Sequence, residues 1–270
     1  MNLKELLSVT EYILKETNAL FEKACILWSG GKDSTALLYM IFDTFGRIPF
    51  RVVHLDNGKE FRETYKHMES VSKELRFEIL RERVEIKRDN ITGLTCCGHN
   101  KTEALKRVIK RQGFDAVIVG IRWDEHGIRG MERYFSPRDR EFKWNVYNPH
   151  KGQTGEALQE PEFVNWGIVV SDFGENCNHV RVHPLLHWRE VDVWRYVRGR
   201  GVQVNPLYFA RNGMRYRSIG CTECSLPVKS KAKNVLEVIK EIERMRTKER
   251  EGRVQDKELA MERLRALGYM

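Results

Sequence analysis

The chain has 270 residues, enough for one large core or for a domain with an appendage. Lysine plus arginine total 47 and aspartate plus glutamate 38, a formal charge of +9. That balance fits a polyanionic partner, and a solvated basic surface equally well. No apolar run reaches the ~18 residues of a membrane span, and residues 1–7 read as amphipathic helix, not signal peptide. A cytoplasmic protein with no membrane partner is therefore expected, and in such a chain the 6 cysteines are unlikely to form structural disulfides.

In chain order, residues 3–22 read as a leading helix, 24–28 as a first strand and 34–45 as a first helix. Between them lies Ser29-Gly30-Gly31-Lys32-Asp33-Ser34. A strand, a glycine turn and a helix set free backbone N–H groups before an anion. The paired glycines let the main chain approach a phosphate without a Cβ in the way. Lys32 adds a mobile positive charge, and Ser29 and Ser34 add hydroxyls, with Ser34 expected to cap the helix. The spacing is not that of a Walker A loop, which needs four residues before its Gly-Lys pair.

A second strand is expected over 51–55, ending at Asp56-Asn57-Gly58, then a helix over 60–75. Residues 77–80 and 84–86 read as a third strand and its continuation, 101–111 as a helix, and 116–120 as a buried strand. Alternating strands and helices argue for an α/β fold, a doubly wound parallel sheet with helices on both faces. Ligands in such sheets lie beyond the carboxyl ends of the strands, so Gly30, Asp56, Gly120 and Arg122 should converge. Residues 124–181 read as long active-site loops. A strand resumes at 181–187 and leads into a helix with Trp188, Val191, Val193, Trp194 and Val197 on its core side. A charged helix over 234–250 and a last helix ending at Met270 follow. The expected division is a nucleotide-binding α/β domain over 1–215 and a cysteine-containing turn with a helical C-terminal extension over 216–270.

The cysteines cluster. Cys96-Cys97 precede a helix and Cys221-Thr222-Glu223-Cys224 follows a turn, so four thiolates can meet around zinc or an iron–sulfur cluster. A redox pair at Cys221 and Cys224, or inert buried thiols, remain open. Cys25 reads as a small core residue and Cys177 as a loose thiol in a polar loop.

The glycine turn resembles the SGGxDS pyrophosphate loop of the ATP pyrophosphatases, the adenine nucleotide α-hydrolases with a Rossmann-like (HUP) sheet. The resemblance implies ATP with its β and γ phosphates in the loop, attack at the α phosphorus, and release of pyrophosphate. Ser29, Gly30, Gly31, Lys32, Asp33, Ser34, Asp56 and Gly120 would bind the nucleotide, and Lys32, Arg122 and Asp56 would carry the chemistry. Arg122 would offset charge at the α phosphate, with Arg129 or Arg138 as candidates to join it. Asp33 would brace the loop or meet Mg2+ rather than touch phosphate. His54, His183 and His187 read as core histidines before they read as acids or bases.

Further stretches resemble the small catalytic subunit of the heterodimeric sulfate adenylyltransferases. They include His54-Leu55-Asp56-Asn57-Gly58-Lys59-Glu60, Gly120-Ile121-Arg122-Trp123-Asp124-Glu125, Pro206-Leu207-Tyr208-Phe209-Ala210 and Glu249-Arg250-Glu251-Gly252-Arg253. That implies a second protein subunit of GTPase-like type. The two cysteine pairs resemble those of adenylylsulfate reductases, implying a [4Fe–4S] cluster on Cys96, Cys97, Cys221 and Cys224. The reductases end in a cysteine-bearing tail, whereas this chain has no cysteine after Cys224, leaving Cys177 as the remaining candidate nucleophile. The fold region is also similar to the ATP-pyrophosphatase component of DNA phosphorothioation systems, which implies nucleic acid or sulfur-transfer proteins as partners. Three functions follow as expectations: adenylyl transfer with pyrophosphate release in sulfur metabolism, sulfonucleotide reduction, and silent nucleotide binding in a partner subunit.

Overall fold

The computed structural model describes residues 1–85, 98–125, 132–143, 177–245 and 249. Its centre is a six-stranded sheet in the order β3-β2-β1-β4-β6-β5. The strands are β1 (Ala24–Leu27), β2 (Arg51–Asp56), β3 (Ile79–Arg83), β4 (Ala116–Val119), β5 (Phe135–Arg138) and β6 (His179–Val182). All neighbours run parallel except β5 and β6. β1 and β4 are buried on both faces, as short continuous apolar runs in a parallel sheet must be.

Helices cover both faces. On one side, α1 (Leu3–Leu20), α2 (Lys32–Phe45), α3 (Arg62–Glu74) and α5 (Glu190–Arg200) share a core with Ile26, Val52, Ile118 and Val182. On the other, α4 (Gly98–Gln112) packs Leu105, Val108 and Ile109 on Cys25, Val53 and Val117. Alternating side chains along each strand therefore feed the two cores in turn. Cys25 is fully buried there, the small core residue that its position implies. Trp188, Val193, Trp194 and Val197 are likewise core, at the start of and along α5.

α1 opens with a capping box between Asn2 and Glu5. α2 starts at Lys32, two residues before the expected start, and its N-cap is Gly31 without a side-chain cap. Ser34 is therefore inside the first turn and does not cap it. The third strand is continuous over Ile79–Arg83 instead of broken at 81–83. β6 starts and ends earlier than the expected 181–187 strand, because residues 184–187 form turns before α5.

Two short structures escaped the sequence pattern. β5 lies within the expected loop region and carries Pro137 opposite Val180. Proline lacks the N–H of a ladder and is tolerated at a sheet edge, which is where β5 lies. A hairpin pairs β7 (Met214–Tyr216) with β8 (Pro227–Lys229), and its connection contains Cys221 and Cys224. α6 (Val235–Arg244) then packs on α5. It is shorter than the expected 234–250 helix, since the chain turns extended at Met245. The last expected helix lies outside the described residues. Among the described residues no helix is long and apolar enough to cross a membrane.

Candidate active site

The glycine turn sits at the carboxyl end of β1, between the ends of β2 and β4. Trp28 fixes its entry: its ring N–H donates to Thr35 Oγ1 at 3.0 Å and its carbonyl accepts from His54 Nδ1 at 2.9 Å. Gly30 has φ +72°, and a Cβ there would lie 2.8 Å from Thr64 Cγ2. Gly31 has an ordinary φ of −79°, so its need for glycine is one of space near Ser29 Oγ and the Tyr208 hydroxyl. The Ser34 hydroxyl donates to the Gly31 carbonyl at 3.2 Å and accepts the Ser29 backbone N–H at 3.3 Å, which holds the loop folded onto the helix. Gly120 allows β4 to end against the same turn, since a Cβ there would lie 3.2 Å from the Ser34 backbone nitrogen.

Gly30→Ala therefore meets both a left-handed backbone and a packed neighbour. It is expected to cost about 2 kcal/mol or more of stability. Urea unfolding of the purified variant measures this, and an unchanged midpoint would contradict the geometry.

Two cations meet beside the turn. The Lys32 side chain is fully buried, its Nζ 3.0 Å from Asp33 and 2.5 Å from Glu249. This corrects the expectation of a mobile lysine: Lys32 is held at the first position of α2 and paired. The Tyr208 hydroxyl accepts the Lys32 backbone N–H at 2.8 Å. Arg122, also fully buried, follows β4 and pairs with Asp33, with Asp124 at 2.9 Å and with Glu249 at 2.5 Å. Its backbone N–H donates to Glu125 at 3.0 Å. Asp124 in turn accepts the backbone N–H of Glu190 at 2.8 Å, and Glu190 pairs with Arg217 at 2.7 Å.

Burial opposes the charge on Lys32 and Arg122, yet the carboxylates of Asp33 and Glu249 outweigh it and hold both pKa values above their ordinary range. The same burial pushes Asp33 upward against the pull of Arg122 and Lys32, and pushes Glu190 upward with help from Glu249. In this structure Asp33 pairs with Lys32 and Arg122.

The remaining candidates divide. Gly30, Gly31, Lys32, Asp33, Ser34, Gly120 and Arg122 come together. Asp56 ends β2 as expected, but its carboxylate accepts from Tyr65 at 2.7 Å and from the Gly58 N–H at 2.8 Å. Burial raises its pKa, while those two donors pull it below the ordinary value. Asp56 is in this state a turn brace. Arg138 is buried with Glu132 at 3.2 Å, so it is a core ion pair on β5. His183 is buried, its Nδ1 donating to the Arg133 carbonyl at 2.7 Å, and His187 lies against Tyr134 and Trp123. Cys177 is half-buried and donates to the His179 carbonyl at 3.5 Å. Burial raises its pKa, opposite to what a nucleophilic thiolate requires. Arg129, Cys96 and Cys97 lie outside the described residues. Cys221 and Cys224 are buried with their sulfurs 3.0 Å apart.

Tyr208, Glu190, Arg217 and Glu249 were given no role by sequence reasoning. Tyr208 and Glu249 stand in stretches that carried a family resemblance, which was the available signal. Nothing in their spacing shows that both reach residue 32.

A glycine turn between β1 and α2, faced by a cation from the end of β4, defines a nucleotide-site α/β protein of Rossmann-like class. Residues 23–227 match the model of the phosphoadenosine phosphosulfate reductase domain, and the chain belongs to that family. Among curated proteins it is 31% identical to sulfate adenylyltransferase subunit 2 of Pseudomonas fluorescens, over 99% of this chain and 98% of that one. It is also 31% identical to the subunit 2 of Psychromonas ingrahamii, over 99% and 97%. Similar solved structures include phosphoadenylyl-sulfate reductase from Candida auris, with TM-score 0.52 and 15% identity, covering 83% of this chain and 96% of that one. Another is Candida glabrata FMN adenylyltransferase with ATP, with TM-score 0.55 and 17% identity, covering 99% and 83%. At these identities the structures speak to the fold alone.

Proposed function

We propose that the chain is an ATP-cleaving adenylyltransferase of sulfate activation, working with a second subunit. A sulfate oxygen attacks the α phosphorus of ATP, the bond to the bridging oxygen of the β phosphate breaks, and pyrophosphate leaves with that electron pair. The products are adenylyl sulfate and pyrophosphate. The observation that carries the reading is the convergence of Lys32 and Arg122 beside a glycine turn at the carboxyl ends of β1 and β4.

The residues suit that chemistry. Adenylyl transfer needs positioning and charge neutralisation more than a protein nucleophile. Backbone N–H groups of the turn and Lys32 would hold the leaving pyrophosphate, and Arg122 would offset charge at the α phosphate. Among the described residues no group of three or more His, Cys, Asp or Glu is arranged to hold a metal ion. Mg2+ would arrive on the triphosphate, keeping waters and taking one or two carboxylates, with Asp33 of the turn itself as the candidate. The full-length relatives named as adenylyltransferase subunits favour this reading over sulfonucleotide reduction, over a silent subunit and over nucleic-acid sulfur modification.

The test is sulfate-dependent exchange of labelled pyrophosphate into ATP, with the chain alone and with its partner subunit. Exchange that needs sulfate and Mg2+ supports the reading. No exchange in either preparation, or exchange indifferent to sulfate, counts against it.

A four-cysteine site is a separate part of the proposal. α4 begins directly after Cys96-Cys97, and Lys101 of that helix pairs with Glu60 at 3.1 Å. Glu60 in turn bridges Cys221 through its backbone. These contacts bring the first turns of α4 toward the Cys221 turn, and four cysteine ligands suit a [4Fe–4S] cluster. Iron and sulfide in equal amounts after anaerobic purification would support the cluster; zinc, or no metal, would refute it.

A further inference from the structure

Glu249 stands 127 residues beyond Arg122 in the chain, yet its carboxylate lies between the two side chains that a triphosphate would use. One oxygen is 2.5 Å from Lys32 Nζ and the other 2.5 Å from an Arg122 nitrogen. The Glu249 side chain is 4% exposed and the two cations 0%. A carboxylate carries the charge and the paired oxygens of a phosphate edge, so it satisfies the same donors.

We infer that Glu249 is a placeholder for phosphate, seated in the anion site of the nucleotide-free chain and displaced when the nucleotide binds. The inference rests on the nucleotide reading above and deepens it.

Two physical arguments carry it. First, buried cations without a counter-ion are costly, so Lys32 and Arg122 need an anion whenever phosphate is absent. Second, among the described residues the carboxylates of the site outnumber its cations. Its carboxylates are Asp33, Asp124, Glu125, Glu190 and Glu249, set against Lys32, Arg122 and Arg217. A triphosphate adds negative charge to that set even with Mg2+ neutralising part of it, and the departure of one carboxylate relieves it. Asp33 is built into α2, Asp124 and Glu125 lie in the turn a few residues after β4, and Glu190 opens α5. Glu249 alone comes from beyond the last of these elements, past the end of α6.

The exchange has a consequence. Nucleotide affinity is lowered by the fraction of chains in which Glu249 has vacated the site. By reciprocity, nucleotide binding releases Glu249 from the site.

The test measures inorganic pyrophosphate binding by calorimetry on the full chain, with hydrogen exchange of the peptide containing Glu249 as a second reading. Glu249→Gln is expected to bind pyrophosphate at least about tenfold more tightly than the parent. Glu243→Gln, which removes the same charge from a 44% exposed glutamate paired with Arg195, should bind as the parent does. In the parent chain, pyrophosphate should speed exchange in the Glu249 peptide. Equal or weaker binding by a folded Glu249→Gln, or exchange slowed by pyrophosphate, would overturn the placeholder and make Glu249 part of the binding-competent site. If Glu249→Gln does not fold, the exchange reading in the parent decides alone. If neither parent nor variant binds pyrophosphate, the loop reading itself fails and the placeholder falls with it.

Discussion

Lys32→Met, assayed with the partner subunit present, is expected to lower pyrophosphate release from ATP by at least about a hundredfold. The lysine opens α2 with its charge inside the site, where burial makes each charge-assisted contact stronger than in water. Methionine keeps the length and apolar stem of the side chain and removes only the cation. Arg122 remains to pair with Asp33 and Glu249, so the fold should survive, and a circular dichroism melt checks this. A folded Lys32→Met enzyme working within tenfold of the parent would remove the lysine from the chemistry. Arg122→Met is a poorer test of catalysis. It would strand several buried carboxylates at once, a change of about 3–5 kcal/mol that unfolds many domains.

The second large effect is on stability. The urea midpoint is expected to fall as pH drops from about 7 to about 4, because three buried histidines refuse protons that the unfolded chain binds, with the raised carboxylates of Asp33 and Glu190 offsetting part of the loss. Burial lowers His67 to about 4. Burial, aided by Arg138 and Arg181, lowers His183 to about 4 despite the pull of Glu132. Burial lowers His179 to about 2, with Arg181 and Arg138 adding to it. For a histidine whose folded pKa is depressed, stability is complete above the ordinary value near 6.5. It is lost as pH falls from there toward the folded value. His67 and His183 each forfeit on the order of 3 kcal/mol across that window. A midpoint that stays flat between pH 7 and 4 would mean these rings are not buried neutral.

These histidines illustrate how far local pattern reaches. His54 and His183 read as core histidines, and both are buried with one ring nitrogen donating to a backbone carbonyl. His187 is half-buried, packed on the rings of Trp123 and Tyr134. A strand position specifies which face a side chain takes, but not what waits on that face.

The sequence by itself determined the parts that depend on neighbours within a few residues. The strand, glycine turn and helix from Ala24 to Phe45 were legible because apolar run length and paired glycines are local properties. So was the parallel sheet, since strands alternating with helices leave few other arrangements. The short β5, with its proline, was not legible because its partner β6 lies far along the chain, and the hairpin of β7 and β8 was not because strands of 3 residues carry too little alternation to read. Only the tertiary structure decided the state of the site. It placed Tyr208 on the backbone of Lys32, Asp33 on Arg122, and Glu249 between both cations. Those contacts span 89 to 217 residues, and no periodicity reaches so far. Charge at close range in a buried site selects partners by where the fold delivers them, and sequence separation carries no record of that.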